Sequence, residues 1–372
     1  MAIVSPPSHK YVNTFYQKIK KKSIKSQFFG KNNTEVIILG HNIDLSRYNI
    51  RTDLAIELVK EGIETKQIGK IKITNVSLDK MRAKKIAKKA GNYITMEFPD
   101  ITDYDNSQKI KTIFADELKR LLKKMNIKDD NICLIIGLGN EKSTPDAIGP
   151  LTISKTLVTN HLYVYGQLEE GFRRVYALSP GVMGETGIET SDFIQSLVKT
   201  TKPDFVIPID ALAASSVERV NKTIQMTDAG INPGSGVGNK RKEISKDTIG
   251  VPVIAIGVPT VVDAASIVND TIHYMYKNFA YTKQNLNNPA YKLMIRPNYL
   301  NKNVKIEETD KQNLFGIIGT LSNEEVKSLI YEVLTPVGYN LMVTPKEEDF
   351  IVEKISDVIS GGINEALHKN IQ

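Results

Sequence analysis

Short apolar runs recur along the chain from about Ile68 onward, at 71–73, 93–98, 132–136, 175–178, 205–209 and 253–256. Between several of them the apolar positions switch to helical spacing, over roughly 106–125, 147–159, 189–201 and 261–279. Continuous apolar strands alternating with amphipathic helices predict an α/β fold, with a mostly parallel central sheet covered on both faces in a three-layer sandwich. Residues 280–312 break the pattern. They are rich in Asn, Lys, Tyr and Pro and read as a flexible surface excursion. Two further helical patterns, 322–333 and 347–367, return to the body. Residues 1–41 read as a weakly ordered extension.

Charge changes the picture at one end only. The chain of 372 residues carries a formal charge of +7. Residues 1–34 hold seven lysines and no Asp, Glu or Arg, which leaves 42 basic against 42 acidic residues elsewhere. The body is formally neutral, so the basic character belongs to an arm and not to a nucleic-acid-binding face. The arm lacks the apolar core of a signal peptide. No run of about 18 apolar residues predicts a membrane span. The single cysteine, Cys133, lies in an apolar run and reads as a buried small hydrophobe. A chain without a disulfide framework suits a reducing interior, and a cytoplasmic location is the expectation.

Ligands of open parallel sheets bind beyond the carboxyl ends of the strands. Three segments can reach that position. The first, Gly137-Leu138-Gly139-Asn140 running on to Asp146 and Pro150, links an apolar strand to a helix. Asp146 fits either a helix cap or a site carboxylate. The second is Ile207-Pro208-Ile209-Asp210, where Asp210 closes an apolar run, as a turn residue or as a group at the active edge. The third holds Gly234, Ser235, Gly236, Gly238, Asn239 and Lys240. It lacks the Gly-Lys-Ser/Thr ending of a phosphate loop and reads as a substrate-contacting or structural loop. A nucleophile elbow at Ser235 is disfavoured by Pro233, and none of the five histidines belongs to these loops. Two carboxylates at one sheet edge could hydrolyse a peptide, one ionised and activating water, the other protonated and donating.

These segments resemble the germination protease family of spore-forming bacteria. The resemblance rests on Arg51-Thr52-Asp53-Leu54-Ala55, on 137–150, on Pro180-Gly181-Val182-Met183-Gly184, on 202–221, on 230–264 and on 338–346, and spans roughly residues 42–370. It implies an endopeptidase that degrades small acid-soluble spore proteins, made as an autoprocessing zymogen and assembled as a homotetramer in the forespore and spore core. By motif match its two essential aspartates fall on Asp146 and Asp210. Family substrates are cut after Glu in motifs similar to Thr-Glu-Ile-Ala, and Thr52-Asp53-Leu54-Ala55 is a near copy with Asp in place of Glu. The resemblance therefore implies cleavage between Asp53 and Leu54, a propeptide over 1–53 and a single peptidase domain over 54–372. The implied fold is phosphorylase/hydrolase-like and related to the hydrogenase-maturation proteases. Those relatives use a histidine-containing metal site with no evident counterpart here, so neither metal nor other cofactor is expected. Two other readings use the same residues: a metal-dependent protease of the hydrogenase-maturation type, and a DNA- or phosphate-binding module built on the lysine arm and the 234–242 loop. In the protease reading, nucleic acid meets at most the arm, and weakly.

Overall fold

The structure is a computed structural model that describes residues 35–38, 41–44, 52–59, 61–234, 241–292, 304, 306–334, 341–369 and 371. The chain divides into two units, Met1–Asn49 and Ile50–Gln372. In the first, the strands β1 (Glu35–Ile38) and β2 (His41–Asp44) pair as an antiparallel hairpin. This hairpin falls at the end of the stretch expected to be weakly ordered.

The second unit is built on a nine-stranded sheet. Its strands are β3 (Ile63–Ile68), β4 (Ile71–Leu78), β5 (Gly91–Glu97), β6 (Cys133–Gly137), β7 (Val175–Leu178), β8 (Phe205–Ala214), β9 (Thr223–Thr227), β10 (Ala255–Asp263) and β11 (Met342–Val343). They lie in the order β3-β4-β5-β9-β10-β8-β6-β7, with β11 added on β10. The β10-β8-β6-β7 half is parallel. All other pairings are antiparallel.

The expectation of a mostly parallel sheet is therefore corrected to a mixed one. Two strands without apolar runs contribute much of the difference, beside the antiparallel β4-β5 and β10-β11 pairs. β3 is solvent-exposed along its whole length and turns straight into β4, so the pair is a hairpin with no crossover helix. β9, Thr-Ile-Gln-Met-Thr, alternates polar and apolar residues yet is buried on both sides. It enters antiparallel between β5 and β10 and joins the two halves.

Helices flank the sheet. The main core lies on one face, where Ile73, Met96, Ile135, Ile207, Ile209, Ile256 and Val258 meet α1 (Tyr104–Lys124), α2 (Ile148–Ser154) and α5 (Glu348–Leu367). Phe114, Leu118 and Leu121 project from α1 and Val352, Ile355 and Ile359 from α5, at the spacing of one helical face. On the opposite face Leu134, Ile136 and Val206 pack with Ile194 and Val198 of α3 (Thr190–Thr201). Cys133 is fully buried among apolar neighbours, and that burial pushes its thiol up.

After β10 the chain enters α4 (Ala264–Asn285), capped by the Asp263 carboxylate accepting from Ala265 N–H at 2.7 Å. The stretch 280–312, expected to be a flexible excursion, is helical over much of its described part. α4 runs to Asn285, and Pro289–Lys292 and Glu308–Phe315 are also helices. Lys283 bonds Asp310 at 2.9 Å, and the Tyr276 and Phe315 rings meet edge-to-face with centroids 5.1 Å apart. Residues 293–303 and 305 of that stretch lie outside the described residues. No described helix is long and apolar enough to cross a membrane.

Candidate active site

The ends of β6, β8 and β10 frame a cavity of about 360 Å³ whose lining includes Asp53, Asp146, Asp210, Gly234, Arg241 and Thr260. Close backbone packing fixes its floor. Beyond β6, Leu138 N–H donates to Ile209 O at 2.8 Å. A Cβ on Gly149 would sit 2.2 Å from Leu138 O and 2.7 Å from Ile209 O, so only glycine lets the start of α2 press onto the strand ends. Gly139 adopts φ +112°, and a Cβ there would lie 2.0 Å from Asp146 O.

This crossing delivers Asp146. The residue ends a short 3₁₀ turn, Thr144–Asp146, and α2 begins behind it with no side-chain cap. Asp146 is thus no helix cap. Its Oδ2 accepts from Asn140 N–H at 2.9 Å, across the loop. Thr260 Oγ1 donates to Pro145 O at 2.6 Å and ties the turn to β10. Burial raises the Asp146 pKa, against the lowering effects of the Asn140 N–H and the Arg241 charge.

Asp210 lies within β8, not at its end, because the strand continues to Ala214. The residue is 4% exposed and accepts a local bond, from Ala211 N–H at 3.0 Å. Burial pushes its pKa well up, and the nearby Asp146 and Asp53 carboxylates push it further. Asp210 thus feels both other acids, and its pKa is raised more strongly than that of Asp146.

Asp53 reaches that site through a segment laid over the sheet. Its N–H donates to Ala213 O at 3.0 Å, and its Oδ2 accepts from Ala213 N–H at 2.9 Å. On one side, Lys88 Nζ donates to Thr52 O at 2.9 Å. On the other, Gln225 receives Ala55 N–H at 2.8 Å and donates to Asp53 O at 3.2 Å. Leu54 is fully buried with Leu212, Ala214, Val220 and Val262. Glu57 accepts from Thr52 Oγ1, Ser215 N–H and the Arg219 guanidinium, which closes the following turn.

Residues 46–372 match the germination protease family. Curated relatives named germination protease include one from Geobacillus sp. (strain WCH70), 48% identical over 362 residues and covering 90% of this chain and 97% of its own length. Another, from Bacillus cereus (strain 03BB102), is 49% identical over 354 residues, 88% of this chain and 96% of the relative. One from Bacillus anthracis (strain A0248) gives the same figures. The chain belongs to the germination protease family. As a germination protease it is a peptide hydrolase.

The structure brings Asp146, Asp210 and Asp53 of this germination protease to one cavity, together with Gly234. Ser235, Gly236, Asn239 and Lys240, expected as a substrate loop, lie outside the described residues, as does the lysine arm over 1–34. Sequence reasoning placed Arg241 only in the basic 234–242 loop, whereas its charge acts on both Asp146 and Asp210. It missed Lys88 and Gln225, which hold the 52–55 segment. The one available signal for Gln225 was a lone amide inside an alternating strand. Among the described residues no histidine lines the cavity, and no group of three or more His, Cys, Asp or Glu is placed to hold a metal ion.

Proposed function

We propose that this protein is a zymogen-form endopeptidase that cuts its own chain between Asp53 and Leu54 and then degrades small acid-soluble spore proteins during germination. One observation carries the reading. The carboxylate that replaces the substrate's Glu, Asp53, lines the same cavity as Asp146 and Asp210 and is felt electrostatically by Asp210. Asp210, buried and protonated, is the acid. Asp146, steadied by the Asn140 N–H and Arg241, is the base. Water loses a proton to Asp146 as its oxygen adds to the Asp53 carbonyl carbon. The bond to Leu54 N then breaks as Asp210 protonates the departing nitrogen. Such proton transfers contribute on the order of 10²–10⁴-fold to rate.

In this reading residues 1–53 are the propeptide and 54–372 the peptidase domain. The enzyme works without metal as a homotetramer in the cytoplasm of the forespore and spore core. Its fold stands beside that of the hydrogenase-maturation proteases, on the Gly-x-Gly-Asn opening and the strand-borne Asp210. The test is to hold purified protein at mildly acidic pH and determine the new N-terminus. A start at Leu54, unaffected by chelators and absent in Asp146→Asn and Asp210→Asn, is the expected result. Cleavage elsewhere, or cleavage surviving in both variants, refutes the reading.

A further inference from the structure

Gln225 occupies a revealing place in the sheet. Gly257 of β10 pairs with Asp210 on one side and with Gln225 on the other. Directly paired residues project to the same face, so Asp210 and Gln225 stand in one cross-strand row. The neighbouring row, Ile209, Ile256 and Met226, faces the opposite way into the main core. Gly257 adds no side chain between the two polar groups, and Leu212 lies over it. Gln225 is 5% exposed, and a buried amide in a strand needs partners.

Its partners are the backbone on either side of the Asp53–Leu54 bond. The Ala55 N–H can only donate, so the amide oxygen of Gln225 faces it, at 2.8 Å. The amide NH₂ is thereby turned to Asp53 O, at 3.2 Å. Asp53 O is the carbonyl oxygen of the bond proposed to be cut. We infer that Gln225 is a catalytic residue of self-cleavage, the donor that stabilises negative charge on the Asp53 carbonyl oxygen as water adds. The inference rests on the proposed cleavage between Asp53 and Leu54.

The proton accounting gives Gln225 a task that neither aspartate performs. Water's oxygen bonds to the Asp53 carbonyl carbon, its proton passes to the ionised aspartate, and the carbonyl π electrons move to oxygen. The Gln225 N–H holds that oxyanion. When the carbonyl re-forms, the C–N bond breaks and the Leu54 nitrogen takes the proton of the second aspartate. The products are the Asp53 carboxylic acid and the Leu54 amine, and Gln225 is unchanged. A fixed donor aimed at an oxygen that gains charge acts without reorganising, and removing one such donor typically costs on the order of 10²–10³-fold in rate.

The test follows self-cleavage of the full-length chain by intact mass and N-terminal sequencing, for wild type, Gln225→Leu and Gln225→Glu. Thermal unfolding checks that each variant folds. Gln225→Leu is expected to release the Leu54 chain about 10²–10³-fold more slowly than wild type. Gln225→Glu separates donor chemistry from packing. Ionised, Glu can only accept; protonated, it regains one donor beside its acceptor. Its rate relative to wild type at each pH is expected to climb as pH falls, a recovery that a purely structural role would not give. This second variant decides the matter if Gln225→Leu does not fold. A folded Gln225→Leu that cuts itself at the wild-type rate or faster overturns the inference while leaving the cleavage reading intact, as does a pH-independent defect in Gln225→Glu. A wild-type chain that never yields a Leu54 terminus overturns both.

Discussion

A carboxyl group as deeply buried as Asp210 resists ionisation because the charge would sit where water cannot reach, beside two other carboxylates. That preference has a stability consequence with a definite sign. The folded-state pKa is raised, so the folded chain binds this proton more tightly than the unfolded chain does. The associated stability is fully present below the ordinary carboxyl value of 3.8 and is lost as pH rises through the folded value. Asp210→Asn keeps the shape and removes the titration. The variant is expected to gain on wild type in thermal unfolding midpoint as pH is raised from about 4 to about 8, with a limiting slope of about 1.4 kcal/mol per pH unit. Equal midpoints for the two proteins across that range would show that Asp210 does not carry a raised pKa. At this scale Asp146 and Asp210 were legible because each sits in a recognisable loop or strand motif. Gln225 was not. Its meaning comes from pairing through Gly257, a relation between three strands that no local window of sequence contains.

At the scale of elements, the decisive joint is where β6 hands over to α2. The strand, loop and helix approach so closely that Gly139 and Gly149 have no room for a Cβ. Gly139→Ala combines a disallowed backbone conformation with a 2.0 Å approach to Asp146 O. It is expected to cost roughly 1–3 kcal/mol in denaturant unfolding and to displace Asp146 enough to halt self-cleavage. A variant of wild-type stability and rate would remove the joint from the argument. The glycines of this joint were visible in the sequence, as were the strands at 71–73, 93–98, 132–136, 175–178, 205–209 and 253–256, because apolar runs mark two-sided burial. β3 and β9 were invisible for opposite reasons. β3 is exposed and polar, and it resembles a loop by composition. β9 buries Gln225, whose side-chain partners lie on the 52–55 segment. Without those two strands the pattern exaggerated the parallel half of the sheet.

At the scale of the whole molecule, cutting after Asp53 would redistribute charge as well as open a site. Residues 1–53 contain nine basic residues, seven Lys with Arg47 and Arg51, against Glu35, Asp44 and Asp53, a net of +6 from the chain's +7. Each piece carries one terminal amine and one terminal carboxylate, which cancel, so the Leu54 chain keeps +1. Whether the two pieces separate depends on what holds Thr52 and Asp53 once the covalent bond is gone. The described contacts include hydrogen bonds to Ala213, Lys88, Gln225, Glu57 and the Leu54 N–H. Each contributes a net of about 0.5–1.5 kcal/mol, or about 1.5–3 where a charged group takes part. Against them stands the freedom regained on dissociation, roughly 4–15 kcal/mol at standard concentration. The two are of comparable size, so these described contacts by themselves hold the fragment weakly, and on them dilution favours release. On a cation exchanger near neutral pH, cleaved material is expected to split into a weakly retained body and a strongly retained basic fragment. Co-elution of body and fragment after a verified cut at Leu54 would mean that the propeptide stays docked, and that activation needs a second step to expel it from the cavity it shares with Asp146 and Asp210.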